Sequence, residues 1–78
     1  MAVAAFVLVD VDSNHTKSAL KTVTRIEGVK RVYPVTGPYD IIIEVESESL
    51  EKLNEQVLSR IRGVDGVMKT ITAIVLNL

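Results

Sequence analysis

With 78 residues, no cysteine and a net charge of −1, the chain has the length of one domain and excludes disulfides, thiolate metal sites and cysteine nucleophiles. The faintly acidic balance disfavours polyanionic partners, nucleic acid and anionic membrane surfaces alike. Hydrophobic residues make up 47% of the chain and mean hydropathy is +0.29. Domains of this size bury only about 60% of the surface their unfolded chains expose, so a second buried surface, an interface between copies, is expected.

The first element is an apolar run from Val3 to Val9, closed by Asp10 and Asp12. It is too short to span a membrane, and no basic segment precedes it as a secretion signal would require, so it reads as a buried strand over 3–11 of a cytoplasmic protein. Ala4, Phe6 and Leu8 alternate with Val3, Ala5, Val7 and Val9, which makes the strand apolar on both sides. A polar segment, Asp12-Ser13-Asn14-His15-Thr16, leads into a helix for which Ser13 or Asn14 is the expected cap. Ala19, Leu20, Val23 and Ile26 form its apolar stripe, and Lys17, Lys21 and Arg25, spaced i, i+4, i+8, form a basic stripe that reads as a solvated face.

A strand over 29–36 follows Gly28. Pro34 within it cannot donate to a ladder, which assigns the strand to a sheet edge. Val35-Thr36-Gly37-Pro38-Tyr39-Asp40 is then a turn between two apolar strands, with Pro38 suited to position i+1 of a type I turn and Asp40 able to bond back to turn amides. A carboxylate beside loop N–H groups offers an acceptor for an ammonium and donors for a carboxylate, the two ends of a free amino acid. The next strand occupies 40–46. Leu50, Leu53, Val57, Leu58 and Ile61 then form a second helical stripe, with Ser47 or Ser49 as its cap and Arg60 and Arg62 at its negative pole. The last strand, over 67–77, includes Thr70-Ile71-Thr72-Ala73-Ile74-Val75-Leu76 without a charge or a proline, an edge that needs a cover.

An internal repeat relates the halves. Arg25-Ile26-Glu27-Gly28-Val29 recurs as Arg60-Ile61-Arg62-Gly63-Val64, 35 residues on (63 − 28), and Gly28 and Gly63 suit the left-handed position after a helix. The β-α-β-β-α-β order that results is that of a ferredoxin-like α+β sandwich, an antiparallel four-stranded sheet with two helices on one face. The other face is apolar and uncovered, so a homodimer built through the sheet is expected, with larger rings of such dimers.

With Gly28-Val29 before a strand, Thr36-Gly37-Pro38-Tyr39-Asp40 at the hairpin, Gly63-Val64, and Thr70-Ile71-Thr72 with an apolar tail, the whole chain resembles the effector module of the leucine-responsive/asparagine-responsive (Lrp/AsnC) transcription regulators, the RAM domain for regulation of amino acid metabolism. The resemblance implies sheet-to-sheet dimers, assembly into octamers or decamers, and amino-acid effectors bound between dimers. It further implies that Gly37, Tyr39 and Asp40 line the effector site, with Asp40 paired to the α-ammonium or a polar side chain, and that Thr70 and Thr72 add hydroxyls. Read alone, those threonines are ordinary β-branched strand residues. The family's full-length members carry an N-terminal helix-turn-helix. Here the first strand begins almost at Met1, so the chain resembles the module standing alone over 1–78, sensing a metabolite itself or joining assemblies of full-length relatives, without binding DNA.

Other readings have less behind them. An ACT-type regulatory subunit of a metabolic enzyme shares the element order but places its ligand at a glycine in the first strand-to-helix turn, and 10–16 contains none. An enzyme would have to rest on His15, the single histidine, which reads as an exposed first-turn residue. RNA readout needs stacked aromatics, and Phe6, Tyr33 and Tyr39 are the full set. Neither a metal nor a cofactor is implied.

Overall fold

The computed structural model describes residues 2–77. Strand β1 (Val3–Val11) leads through a single 3-10 turn (Ser13–His15) into α1 (Thr16–Thr24). Strands β2 (Val29–Pro34) and β3 (Ile41–Ser47) form a hairpin. The helix α2 (residues 50–62) and strand β4 (Val67–Ile74) complete the chain. The sheet is antiparallel throughout, in the order β2-β3-β1-β4. This is the expected ferredoxin-like βαββαβ arrangement, with Pro34 on one edge strand and the uncharged run on the other.

Alternation along the strands sorts the residues as the pleat requires. Ala5, Val7, Val9 and Val11 of β1 and Ile41, Ile43 and Val45 of β3 are buried against Ala19 and Val23 of α1 and Leu53, Val57, Leu58 and Ile61 of α2. Leu50 departs from its expected place in this stripe and is 58% exposed. It opens the helix directly after the cap, a turn ahead of the first buried position. The middle of α2, Leu53–Leu58, is π-helical between α-helical ends. That wider winding brings Leu53, Val57 and Leu58 together onto the core.

The caps also sharpen the expectations. Ser49 does cap α2, its Oγ accepting from the Lys52 amide at 3.1 Å. At the start of the first helical stretch the cap is Asp12 and not Ser13 or Asn14: Asp12 Oδ1 accepts from the Asn14 amide at 3.0 Å. A carboxylate two residues before a free amide reaches it with less distortion than the hydroxyl one residue later. Glu48, one turn ahead of Lys52, lies 2.7 Å from its ammonium, and that hydrogen bond and charge hold the exposed Glu48 carboxyl below the usual carboxylate range.

Both helices end in the same turn, but its register corrects the repeat. Gly63 has right-handed dihedrals, and the left-handed residues are Gly28 (φ 98°) and Gly66 (φ 93°), 38 positions apart (66 − 28). The backbone bonds agree: Ile26 N–H donates to Val23 and Val29 N–H to Ile26, as Val64 N–H does to Ile61 and Val67 N–H to Val64. The equivalent motifs are therefore Ile26-Glu27-Gly28-Val29 and Val64-Asp65-Gly66-Val67. Each glycine carbonyl then closes onto the sheet's other half, Gly28 accepting from Glu46 N–H and Gly66 from Asp12 N–H, both at 2.8 Å. A Cβ on Gly66 would lie 2.3 Å from His15 Cβ. Gly66→Ala therefore combines a left-handed backbone, which costs about 1–2 kcal/mol for a side chain, with a clash that the 3-10 turn must relieve. A loss of about 2 kcal/mol or more in urea denaturation is expected.

The face away from the helices is open. Its central row runs Tyr33–Ile42–Leu8–Ile71 across the four strands, and the next runs Arg31–Glu44–Phe6–Ala73. Phe6, Tyr33 and Ile71 are 39%, 44% and 40% exposed. Arg31 pairs with Glu44 at 3.7 Å and Lys30 with Glu46 at 3.6 Å, exposed cross-strand pairs worth a few tenths of a kcal/mol each. The two outer strands differ. β2 is short, carries Lys30, Arg31 and Pro34, and shifts register between Val29 and Arg31, whereas β4 is longer and has Lys69 as its single charge. β4 ends at Ile74, short of the expected 77, although Val75 N–H still bonds to the Ala4 carbonyl at 2.9 Å.

Candidate functional site

The hairpin connection lies at the end of the sheet where β1 finishes. β2 stops at Pro34, two residues sooner than expected. Val35 N–H donates to the Asp40 carbonyl and Asp40 N–H to the Val9 carbonyl, both at 3.0 Å. These bonds fix the two ends of a short loop, 36–39. The Gly37–Pro38 peptide is cis, and no i to i+3 backbone bond closes the loop as the expected type I turn would.

The Asp40 side chain does not bond back to turn amides. Its Oδ2 accepts from Val11 N–H at 2.8 Å, reaching to the neighbouring strand. The registered β1–β3 pairs end at Val9↔Ile41, and the partner that Val11 needs on that side is supplied by the side chain. Thr36, Gly37 and Pro38 are exposed, Tyr39 and Asp40 half-buried. A side chain on Gly37 would meet nothing within 4 Å, so the loop faces open space in the single protomer.

Thr70 stands opposite Val9 on the far side of β1, and Thr72 opposite Val7, both half-buried on the helix-facing side of β4. Strands lie about 4.8 Å apart, so two strand spacings separate the Thr70 row position from that of Ile41, next to Asp40. Thr70 is thus level with the start of β3 and the loop, across β1 from them, whereas Thr72 lies opposite the middle of β1, so the structure does not bring all five residues together in one protomer.

Two clefts lie elsewhere, and none of the five residues lines either. One, of about 890 Å³, is bounded by the Gly28 turn, Lys30, Glu46, Ser49, Lys52 and Arg60. The other, of about 490 Å³, is bounded by His15, Ser18, Thr22, Arg60 and Asp65. Arg60 borders both, a placement that the helical stripe gave no sign of. His15, expected to be solvated, is half-exposed, with its Nδ1 covered, unpaired and 3.7 Å from Asp12 Oδ2. That is beyond hydrogen-bonding distance. Among the described residues no three His, Cys, Asp or Glu side chains converge to hold a metal, and no helix is long and apolar enough to cross a membrane.

The family model described as the Lrp/AsnC ligand binding domain matches residues 4–78. The chain belongs to this family. Among solved structures, this Lrp/AsnC domain is similar to TTHA0845 from Thermus thermophilus, at 30% identity and a TM-score of 0.89, over 97% of this chain and 95% of that one. It is also similar to the feast or famine regulatory protein Rv3291c from M. tuberculosis, whose structure is a complex with L-methionine, at 30% identity and a TM-score of 0.82, over 97% of this chain and 51% of that one. Among curated proteins it is similar to a homocitrate synthase from Sulfolobus acidocaldarius, 39% identical over 76 residues. That match covers 96% of this chain and 16% of the synthase, so the chain spans about one-sixth of the curated relative's length.

Proposed function

We propose that this Lrp/AsnC domain is an amino-acid effector-binding and oligomerisation module, acting in the cytoplasm in the regulation of transcription or of amino acid metabolism. The observation that carries the reading is the family match across 4–78, supported by the L-methionine complex of Rv3291c. Gly37, Tyr39 and Asp40 line the effector site, and Thr70 and Thr72 add to it from β4. The open space around Gly37 supports a site completed by a neighbouring copy. The module dimerises through the open face of the sheet, where Phe6, Tyr33 and Ile71 are exposed, and dimers join as octamers or decamers with effectors between them. The module acts by binding a metabolite or by joining full-length relatives of the family.

The likeness to homocitrate synthase favours a second reading, in which the same module serves a metabolic enzyme. Both readings share the amino-acid ligand and differ in the partner. Mass spectrometry of proteins co-purified with a tagged chain from its host separates them: regulators of this family support the first, a biosynthetic enzyme the second.

The ligand itself is tested by a thermal-shift screen of the twenty amino acids. An amino acid at 100 times its Kd stabilises the folded state by about 2.7 kcal/mol, a shift of about 10–20 °C in a domain of this size. A response to one or a few of the twenty is expected. No response from an intact oligomer overturns the reading.

A further inference from the structure

We propose that Asp40 is a positioning residue for the effector site: its carboxylate moors the 36–39 loop to the end of β1 and so sets where Gly37 and Tyr39 meet the amino acid, without itself pairing with the ligand's ammonium. The inference rests on the amino-acid reading above and assigns a different role to one of its residues.

Three bonds converge on Asp40. Its carbonyl takes Val35 N–H, its own N–H goes to the Val9 carbonyl, and its Oδ2 takes Val11 N–H. The last of these carries the argument. Along β1, Val9 and Val11 direct their backbone groups to the same side, toward β3, because alternate residues of a strand do so. The last residue of β3 to pair there is Ile41, opposite Val9, and on the other side the β1–β4 register shifts between Asp10 and Val11. Val11 is 4% exposed. Its amide therefore has neither a strand carbonyl nor free access to water, and a buried donor of this kind requires a partner. The Asp40 carboxylate is that partner at 2.8 Å, a charge-assisted bond stronger than the ladder bond it replaces. With Oδ2 committed to a buried amide the whole carboxylate is held against β1, so that Oδ1, its remaining acceptor, cannot turn to follow a ligand that enters and leaves. The ammonium is then left to Thr70, Thr72 and backbone carbonyls.

The test compares Asp40→Ala with Asp40→Asn. Asparagine keeps an oxygen that accepts from Val11 N–H and removes the charge that an ammonium needs. Binding is measured by calorimetry, using the free L-amino acid that gives the largest shift of the wild-type protein. Hydrogen exchange of the Val11 amide reports the mooring directly. In Asp40→Ala the amide is expected to exchange at least about tenfold faster and affinity to fall by about tenfold, the effect of 1.4 kcal/mol. Asp40→Asn is expected to restore both to within about threefold of wild type, well inside that tenfold. An Asn variant with Val11 protected and affinity lost overturns the proposal in favour of a direct ion pair. So does an Ala variant that binds normally, or an Asn variant in which Val11 is unprotected. Failure of the amino-acid reading is distinguishable, because the wild-type screen then gives no shift before any variant is made.

Discussion

Leu53→Ala is expected to cost about 2–5 kcal/mol of stability, the range for truncating a large aliphatic residue in a closed core. Leu53 is fully buried and opens the π-helical segment that packs onto β3. Its neighbours in the core include Ile43, Val45, Val57 and Ile61, held by the sheet on one side and by the helix on the other, so the space left behind has little room to collapse. A domain of this length has a total stability of about 4–12 kcal/mol, at 0.05–0.15 kcal/mol per residue. The loss is therefore a large share of the whole. Leu50, one turn earlier on the same stripe but 58% exposed, provides the control. Leu50→Ala is expected to change stability by no more than about 0.5 kcal/mol. Urea midpoints of the two variants measure the difference, and equal effects would contradict the assignment of Leu53 to the core.

Phe6→Lys is expected to convert the proposed dimer to monomers at micromolar concentration. Phe6 lies at the middle of the open face, opposite Glu44 on β3 and Ala73 on β4. In a single protomer a lysine at this position is solvated and faces the Glu44 carboxylate, so the fold tolerates it. Across a two-fold interface the same substitution introduces a cation from each copy into an apolar contact, and desolvating each costs several kcal/mol. Light scattering distinguishes the outcomes, with circular dichroism to confirm that the variant is folded. A variant still dimeric at micromolar concentration would show that the copies meet elsewhere.

The fold was readable because its signals are local and periodic. Val3 to Val9 is a short apolar run closed by Asp10, the two helical stripes recur at three and four residues, and Pro34 and the uncharged run around Thr72 mark the edges. What escaped the sequence was set by partners distant along the chain. Gly63 and Gly66 look equally suited to a left-handed turn, and the choice falls on Gly66 because its carbonyl meets Asp12 and its bare Cα meets His15. Leu50 and Leu53 are the same residue type on the same stripe, separated in burial by where the helix crosses the sheet. At the candidate site the sequence marks Asp40 as special but cannot show that one of its carboxylate oxygens is taken by the amide of Val11, 29 residues earlier. Nor can it place Thr70 relative to the loop, since β1 comes between them.

The unequal edges limit how such a domain can grow. Strand pairing needs a run of free N–H and C=O groups, and β4 presents a regular one from Lys69 to Ile74 while the shorter β2, with its two charges and Pro34, does not. Each copy thus has one competent edge. Sheets joined side by side would use both competent edges in the first step and leave two blunted ones outside, so lateral addition terminates at a pair and does not propagate into a fibre.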